Sequence, residues 1–372
     1  MRITENHKLN EYHVMFHTDE ADGPSYAAQL GALMKAYATW LATHEGQTPL
    51  FRRFFLSDSA NQQADLEQAL DSVTSCATSI VQQPPLDGTK IALWLWTASG
   101  MTTEGGSFSH NGLTHYWKAL SPLLHEGKSL PSITGAGGSE EQMNALFDSW
   151  RCELEPFGMT IADNTIRTWI FVRDVDVNYH GVVEGRRKYF ERIGLTPKTH
   201  FIASTGIEGR HALPEVFVKM DGYAVRGLRD GQIRYLYAKD HLNPTYEYGV
   251  TFERGTAVTY GDRRHVFISG TASIDNKGQV LHEGDICAQT LRMLENIGAL
   301  LREADCTMTD IAQAIVYLRD TADADAVSSL LASELPDLNY VLVLAPVCRP
   351  IWLVEMECIA LREVNHPEYP NF

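Results

Sequence analysis

The chain has 372 residues, of which 44% are hydrophobic and 21% are charged, and its formal net charge is −16. A chain this acidic repels the phosphate backbones of nucleic acids. Its tightest basic clusters, 186–188 and 263–264, are short and are interpreted as solvated faces. Nucleic-acid binding is therefore not expected. No apolar run reaches the roughly 20 residues that span a bilayer, and no signal peptide is evident. Six cysteines without a C-x-x-C pair are typical of reduced thiols, so a soluble cytoplasmic protein is expected.

The first 150 residues give few assignments. Residues 90–96 (KIALWLW) form the apolar run of a buried strand, whereas 97–111, rich in Gly, Ser and Thr, is predicted to be an irregular loop. His13 and His17 have the helical spacing of metal ligands, but no third ligand lies nearby in the sequence. A chance pair is the favoured interpretation, and neither a metal nor another cofactor is expected.

An internal repeat organises the rest of the chain. Residues 166–174 (IRTWIFVRD) and 312–320 (AQAIVYLRD) are β-branched and aromatic, end in Arg-Asp, and are typical of buried strands. Each lies between two helical patterns, and each is followed by a second pair of strands in which 218–221 (VKMD) aligns with 354–357 (VEME). Corresponding features in one order and at similar spacing predict a duplication.

The repeat predicts an α/β (α+β) fold of two tandem modules, each a mixed sheet with helices on one face. Residues 1–240 would form a divergent first domain with an N-terminal extension, and residues 245–372 the second domain. The Tyr-rich stretch 231–249 is predicted to link them. In the second copy, Asp285 is predicted to cap a helix whose apolar stripe is Ile286, Leu291, Leu294, Ile297 and Leu301.

The last strand carries an unusual pattern. Because successive side chains alternate, Glu355 and Glu357 share one face with Leu353 and Ile359, and the opposite face is wholly apolar. Two carboxylates on a partly apolar face suit neither a core nor a plain solvent-exposed surface. This face is therefore predicted to form an interface between modules or subunits, with a polar pocket.

Several motifs carry a resemblance to known families. Residues 268–301 (ISGTASIDNKGQVLHEGDICAQTLRMLENIGALL), with VYLRD and VEMECIA further on, resemble the Rid (YjgF, endoribonuclease L-PSP-like) family, whose fold is like that of chorismate mutase. Over about 160–362 the chain also resembles the chorismatases, through RTW, TGI, Tyr237, FERGT, GTASI, HEGD, CR and LVE. The stretch 275–278 (DNKG) and the pair Ile170-Phe171 depart from the chorismatase pattern and leave the exact substrate open.

The resemblance implies an enzyme of the chorismate lyase or hydrolase type. It would cleave the enolpyruvyl group of chorismate to give pyruvate and 3-hydroxybenzoate, or a dihydroxycyclohexadiene carboxylate. Glu355 is at the position of the general acid. Cys348 and Gly255 match the members that form 3-hydroxybenzoate, in which these two positions shape the pocket beside the ring. From the residues alone, an interface ion pair is the favoured interpretation of Glu355, and a small buried apolar side chain that of Cys348.

Four further residues are candidates for substrate binding. Arg254 and Arg349 could hold carboxylates, because guanidinium groups bind them with two hydrogen bonds, although surface salt bridges are the alternative. Tyr237 and Thr205 are candidates for contacts with hydroxyl groups.

Two other functions stay open. A Rid-type enamine/imine deaminase would use an Arg on the penultimate strand, where this chain has 339–343 (NYVLV). A non-catalytic Rid-like protein that binds a small ligand is the other alternative, since fold does not fix function. Plain Rid proteins are trimers with sites between subunits, and a duplication can supply one such interface within a chain. A monomer or a homotrimer that binds a small molecule is therefore expected.

Overall fold

The computed structural model describes residues 1–122 and 137–372, which form three mixed sheets. The first sheet has the strand order β1-β2-β5-β3-β4. Its strands, numbered along the chain, are β1 (Arg2–Lys8), β2 (Glu11–His17), β3 (Gln47–Leu56), β4 (Ala77–Gln82) and β5 (Ile91–Ser99). Two helices belong to it, α1 (Tyr26–Thr43) and α2 (Ser59–Leu70).

The second sheet has the order β10-β9-β11-β8-β7-β6. Its strands are β6 (Thr102–Glu104), β7 (Ser107–His110), β8 (Leu113–Leu120), β9 (Thr165–Val172), β10 (Ala203–Glu208) and β11 (Val218–Arg226). Its helices are α3 (Ser139–Leu154), α4 (Ile161–Asn164) and α5 (Val175–Arg192).

The third sheet has the order β12-β13-β14-β17-β15-β16. Its strands are β12 (Ile233–Leu236), β13 (Gly255–Thr259), β14 (Arg263–Thr271), β15 (Ile311–Leu318), β16 (Tyr340–Leu344) and β17 (Val354–Glu363). Its helices are α6 (Ile286–Glu303) and α7 (Ala324–Glu334). Asp285 caps α6 as predicted, because its side chain accepts a hydrogen bond from the backbone N–H of Ala288. The predicted apolar stripe of α6 was wrong at Leu291, which is 43% exposed.

The repeat predicted from the sequence is confirmed, since β9 and β15 occupy the same place in their sheets. Each pairs antiparallel with the last strand of its sheet and parallel with an edge strand, β10 or β16. The predicted N-terminal extension repeats the pattern once more, because β3 pairs with β5 and β4 in the same way. The division into domains at 1–240 and 245–372 stays a prediction.

Strands lie in both the predicted irregular loop and the predicted linker. Within 97–111, β6 and β7 form a hairpin that turns at Gly105-Gly106, and both glycines have the positive φ that a tight two-residue turn requires. Within the predicted linker 231–249, β12 pairs with β13 at the edge of the third sheet. The prediction of an irregular loop was wrong because small polar residues also suit short edge strands, whereas the role of 231–249 as a linker stays a prediction.

Helices cover the outer faces of the sheets, and the inner faces meet in the centre of the molecule. Alternation along β5 illustrates this, because Leu93 and Leu95 pack with the helix side whereas Trp94 and Trp96 point to the centre. Aromatic side chains from all three sheets pack there against one another: Trp94, Trp96, Trp117, Trp169, Tyr223 and Phe267. Among the described helices, none is long and apolar enough to cross a membrane.

Candidate functional site

A cavity of about 510 Å³ lies between the second and third sheets. Its walls come from α5 and β10 on one side, and from β14, β17 and the segment before β17 on the other. Its volume is typical of sites for small molecules. Five of the seven candidate residues line it: Thr205, Arg254, Cys348, Arg349 and Glu355.

Glu355 lies at the start of β17, on the face that the alternation predicted, and is only 5% exposed. Its carboxyl packs against Gly270 of β14, where a Cβ atom would lie 1.9 Å from Oε1 of Glu355. The pairing of β14 with β17 contains one extra residue between Ile268 and Thr271, so a bulge places Gly270 beside the acid. Only glycine fits this position without displacing the carboxyl group.

The surroundings of Glu355 favour its protonated form. Burial raises its pKa to about 8, and the charge of Glu357 acts in the same direction, while Arg254 and Arg167 oppose it. No hydrogen bond reaches its carboxyl among the side chains that the structure describes. Glu355 is therefore a buried carboxylic acid that is largely neutral at neutral pH and that faces a cavity.

Glu357, two residues further along the strand, is in the opposite situation. Arg167 donates to its Oε2 at 2.8 Å, and the indole N–H of Trp169 donates to its Oε1 at 2.7 Å. Arg53 from the first sheet lies 3.7 Å from the same carboxylate. The interface ion pair that was the alternative interpretation of Glu355 is thus formed by Glu357. Glu357 is held as a carboxylate by its cationic partners, whereas Glu355 can donate a proton.

Three arginines line the cavity. Arg254 is held by the carbonyl oxygen of Asn243, to which its Nε and Nη2 donate at 3.3 and 3.1 Å. Arg349 lies over the ring of Trp352, 5.1 Å from its centroid. Arg186 of α5 is the third, and its Nη1 lies 3.5 Å from the hydroxyl oxygen of Ser204.

Arg186 was missed by the sequence analysis. The interpretation of 186–188 as a solvated face was wrong for Arg186, which is 2% exposed, although Arg187 and Lys188 form ion pairs at the surface. The usable signal is helical spacing, because Val182 and Tyr189 lie on the same buried face of α5.

Two smaller side chains complete the cavity. Burial raises the pKa of the Cys348 thiol to about 12, with a further contribution from Glu355, so the thiol stays neutral and is unsuited to act as a nucleophile. The hydroxyl oxygen of Thr205 accepts from the backbone N–H of Gly270 at 2.9 Å and from Arg167. Both of its acceptor positions are therefore used, and its hydrogen is left to donate.

Two candidate residues lie outside this cavity. Tyr237 lines a neighbouring cavity of about 40 Å³, on the other side of Arg254. A Cβ atom at Gly255 would contact Leu236 and Ile268 at 3.1 Å, so this glycine faces adjacent strands. The prediction that Gly255 shapes the pocket was wrong in this respect, because Arg254 occupies the position that faces the cavity.

Comparisons with known proteins fit this architecture. The family model described as endoribonuclease L-PSP matches residues 255–362. A RutC family protein of Pyrococcus abyssi is 33% identical over 100 residues, which are 26% of this chain and 79% of that protein. The 3-aminoacrylate deaminase RutC of Acinetobacter baylyi is 35% identical over 72 residues, 19% of this chain and 57% of that protein.

A solved structure extends the likeness to the whole molecule. The crystal structure of a chorismatase superposes with a TM-score of 0.65 at 18% identity, and the match covers 97% of this chain and 99% of that one. At this identity the match establishes the fold. The chain thus has the fold of a chorismatase over nearly its full length, belongs to the RutC family, and carries an endoribonuclease L-PSP domain at residues 255–362.

Proposed function

We propose that the protein is a chorismatase-type enzyme that removes the enolpyruvyl group of chorismate. The observation that carries this proposal is Glu355, a buried acid with a pKa raised to about 8, beside a cavity that is also lined by three arginines. The shared fold with a chorismatase supports it along nearly the whole chain.

The reaction begins with proton transfer to carbon. Chorismate carries an enolpyruvyl ether and two carboxylates, and protonation of the terminal methylene carbon by Glu355 turns the ether carbon into an oxocarbenium-like centre. A carboxylic acid can donate this proton near neutral pH only if its pKa is raised, which burial achieves here. A water molecule or the ring hydroxyl group then adds to this carbon, and the bond between the carbon and the bridging oxygen breaks. With water, pyruvate is released at this point. With the ring hydroxyl, the bond between the ring and the hydroxyl oxygen also breaks as the ring loses a proton and becomes aromatic, and pyruvate leaves with that oxygen.

The arginines would hold the two substrate carboxylates during this step. Arg254 is fixed by Asn243 and Arg349 by Trp352, so both guanidinium groups are oriented before the substrate binds. Arg186, on the opposite wall, would add a third positive charge. Thr205 would donate a hydrogen bond to a substrate oxygen, because its acceptor positions are already used.

We propose 3-hydroxybenzoate as the aromatic product. Chorismate can divide into pyruvate and 3-hydroxybenzoate with no net water consumed, whereas a dihydroxycyclohexadiene carboxylate requires one water molecule. Cys348 lines the cavity with Glu355, and we infer that its side chain would occupy space that an attacking water needs. Gly255 faces the adjacent strands and does not contribute to this argument.

The test is to incubate the purified protein with chorismate and to measure pyruvate and the aromatic product by chromatography. We expect pyruvate and 3-hydroxybenzoate in equal amounts. Pyruvate accompanied by a dihydroxycyclohexadiene carboxylate would overturn the product assignment but not the proton transfer. A protein that releases no pyruvate would overturn the proposed function.

The alternative of a Rid-type deaminase has less support. The strand that lies across the cavity from Glu355 is β10, and no residue of Ala203–Glu208 is an arginine. The penultimate strand β16, where the resemblance places the substrate-binding arginine, contributes nothing to this cavity. Release of ammonia from an enamine substrate, with no reaction toward chorismate, would favour this alternative.

A further inference from the structure

Arg167 is a buried cation that the proposed reaction does not use. It lies on β9, is 1% exposed, and contacts three other strands. Its guanidinium pairs with Glu357 of β17 at 2.8 Å and donates to the hydroxyl oxygens of Thr205 on β10 and, at 3.3 Å, Ser269 on β14. One side chain therefore connects the two sheets that enclose the cavity.

Two of the residues that Arg167 contacts, Glu357 and Thr205, are connected to Glu355. Glu357 is two residues away on the same face of the same strand, so the ion pair with Arg167 fixes the part of β17 that carries the acid. Thr205 in turn accepts from the N–H of Gly270, and Gly270 is the surface against which the acid packs. Arg167 thus holds both the strand behind Glu355 and the wall beside it.

We propose that Arg167 and Glu357 act as one positioning unit for Glu355, fixing its carboxyl group relative to the wall of the cavity and setting the charge that it experiences. This inference rests on the proposed function, in which Glu355 donates the proton, and extends it to two residues that do not line the cavity. The fork of the guanidinium matters because Nη2 donates to Glu357 and Thr205 while Nη1 donates to Ser269, and the single nitrogen of an ammonium group cannot reproduce both positions.

Other charged or titratable groups also face Glu355. Tyr317 is its partner across the strand pair on β15, and Arg254 approaches from the segment before β13. The remaining groups line the cavity: Cys348 and Arg349 before β17, and Asp176, Tyr179, His180, Glu184 and Arg186 on α5. The variants below leave all of these groups unchanged, so an altered titration of Glu355 reports on the positioning unit.

The first measurement needs no substrate. Glutamate labelled with ¹³C at the carboxyl carbon gives the titration of Glu355 by NMR, and its signal is assigned by its loss in Glu355→Gln. In Glu357→Gln we expect the titration of Glu355 to move to lower pH, because a neighbouring negative charge is removed while the shape is kept. An unchanged titration in a protein that melts like the wild type would overturn the electrostatic part of the unit.

The second measurement uses chorismate. Arg167→Lys keeps the charge but loses the fork, so we expect kcat to fall by up to about a hundredfold with little change in KM, since misplacement of reacting groups affects the chemical step. Arg263→Met is the matched control, because Arg263 is an equally buried arginine that pairs with Glu11 away from the cavity. We expect it to lower the melting temperature without lowering kcat.

The outcomes separate the two proposals. A wild-type kcat in Arg167→Lys, or a raised KM at unchanged kcat, would overturn the positioning role. A wild type that is inert toward chorismate would remove the proposed function, while the NMR titration of Glu357→Gln would still decide whether the unit controls Glu355.

Discussion

Glu355 and Lys219 occupy the same place in two sheets that share one topology. Glu355 of β17 pairs with Tyr317 on β15, and Lys219 of β11 pairs with Phe171 on β9, in each case one residue before the end of the inner strand. In the first sheet the corresponding residue is Ala92. Glu355 faces a cavity, whereas the ammonium of Lys219 donates to the backbone carbonyl of Ile80 in the first sheet. The same fold position is therefore open in one interface and filled in another.

Burial has opposite effects on these two groups. It raises the pKa of Glu355 to about 8 and lowers that of Lys219 to about 8, because in both cases it disfavours the charged form. Each also has a carboxylate two residues further on, Glu357 or Asp221. A shifted pKa therefore does not identify the site by itself. The accessible cavity and its arginines distinguish Glu355 from Lys219.

The largest expected effect comes from removing the acid. Glu355→Gln keeps the size of the side chain but cannot donate the proton, so we expect pyruvate release to fall about 10²–10⁴-fold. The measurement is initial rate under saturating chorismate, with thermal melting as the check on folding. Glu363→Gln at the exposed end of β17 is the control and should react at the wild-type rate. Wild-type activity in Glu355→Gln would show that Glu355, like Lys219, is a buried group with a shifted pKa and no role in the reaction.

The second prediction keeps Glu355 and fills the space that its carboxyl group occupies. In Gly270→Ala, the added methyl group would lie 1.9 Å from Oε1 of Glu355, so the end of that side chain must move. We expect a loss of activity of about a hundredfold, with the fold retained. Gly31→Ala in α1 is the control, since no atom lies within 4 Å of the new methyl group there. It should stabilise the protein by about 0.5–1 kcal/mol and leave the rate unchanged.

The third prediction uses the opposite pKa shifts. The raised pKa of Glu355 means that the folded protein holds a proton that the unfolded chain releases, so stability falls as pH rises from the ordinary glutamate pKa of 4.5 to about 8. The lowered pKa of Lys219 has the opposite effect, and stability rises as pH goes from about 8 to the ordinary lysine pKa of 10.5. Each contribution is of the order of a few kcal/mol.

Denaturant unfolding at a series of pH values measures both contributions. Glu355→Gln should remove part of the fall in stability on the acidic side of pH 8, and Lys219→Met part of the rise on the basic side. The rate of pyruvate release should also fall above about pH 8, because the acid must be protonated to react. Identical stability profiles in wild type and Glu355→Gln would contradict the raised pKa.

Much of this comparison was predictable from the sequence. The alignment of VKMD with VEME located the repeat, and the alternation along β17 put Glu355 and Glu357 on the inner face. The first sheet was missed because it carries Ala92 and Trp94 where the other two sheets carry charged residues. The first sheet repeats the strand arrangement of the other two sheets, but no charged residues mark the repeat in its sequence.

The remaining parts of the site depend on contacts between distant segments. Gly270 contributes to the site because a bulge places it against Glu355. The sequence around a glycine in a strand does not show which side chain will pack against it. Arg186 lies in a run of basic residues; its helical spacing places it on the buried face of α5, but only the packing of α5 beside β10 shows that this face lines a cavity. Gly255 and Tyr237 were assigned by resemblance, and the structure places both outside the main cavity.

The smallest effect on activity is expected at Lys219. Lys219→Met keeps a long side chain, removes a buried ammonium that is 6% exposed, and gives up its hydrogen bond to Ile80. Because this ammonium donates to the first sheet and Lys219 is not among the described residues that line the cavity, we expect kcat and KM for chorismate to stay within about twofold of the wild type, since uncoupled sites act independently. Steady-state kinetics beside Glu355→Gln checks this directly. A Lys219→Met protein that folds but loses activity as Glu355→Gln does would show that both interfaces serve the reaction, and the assignment of a single reacting acid would then fail.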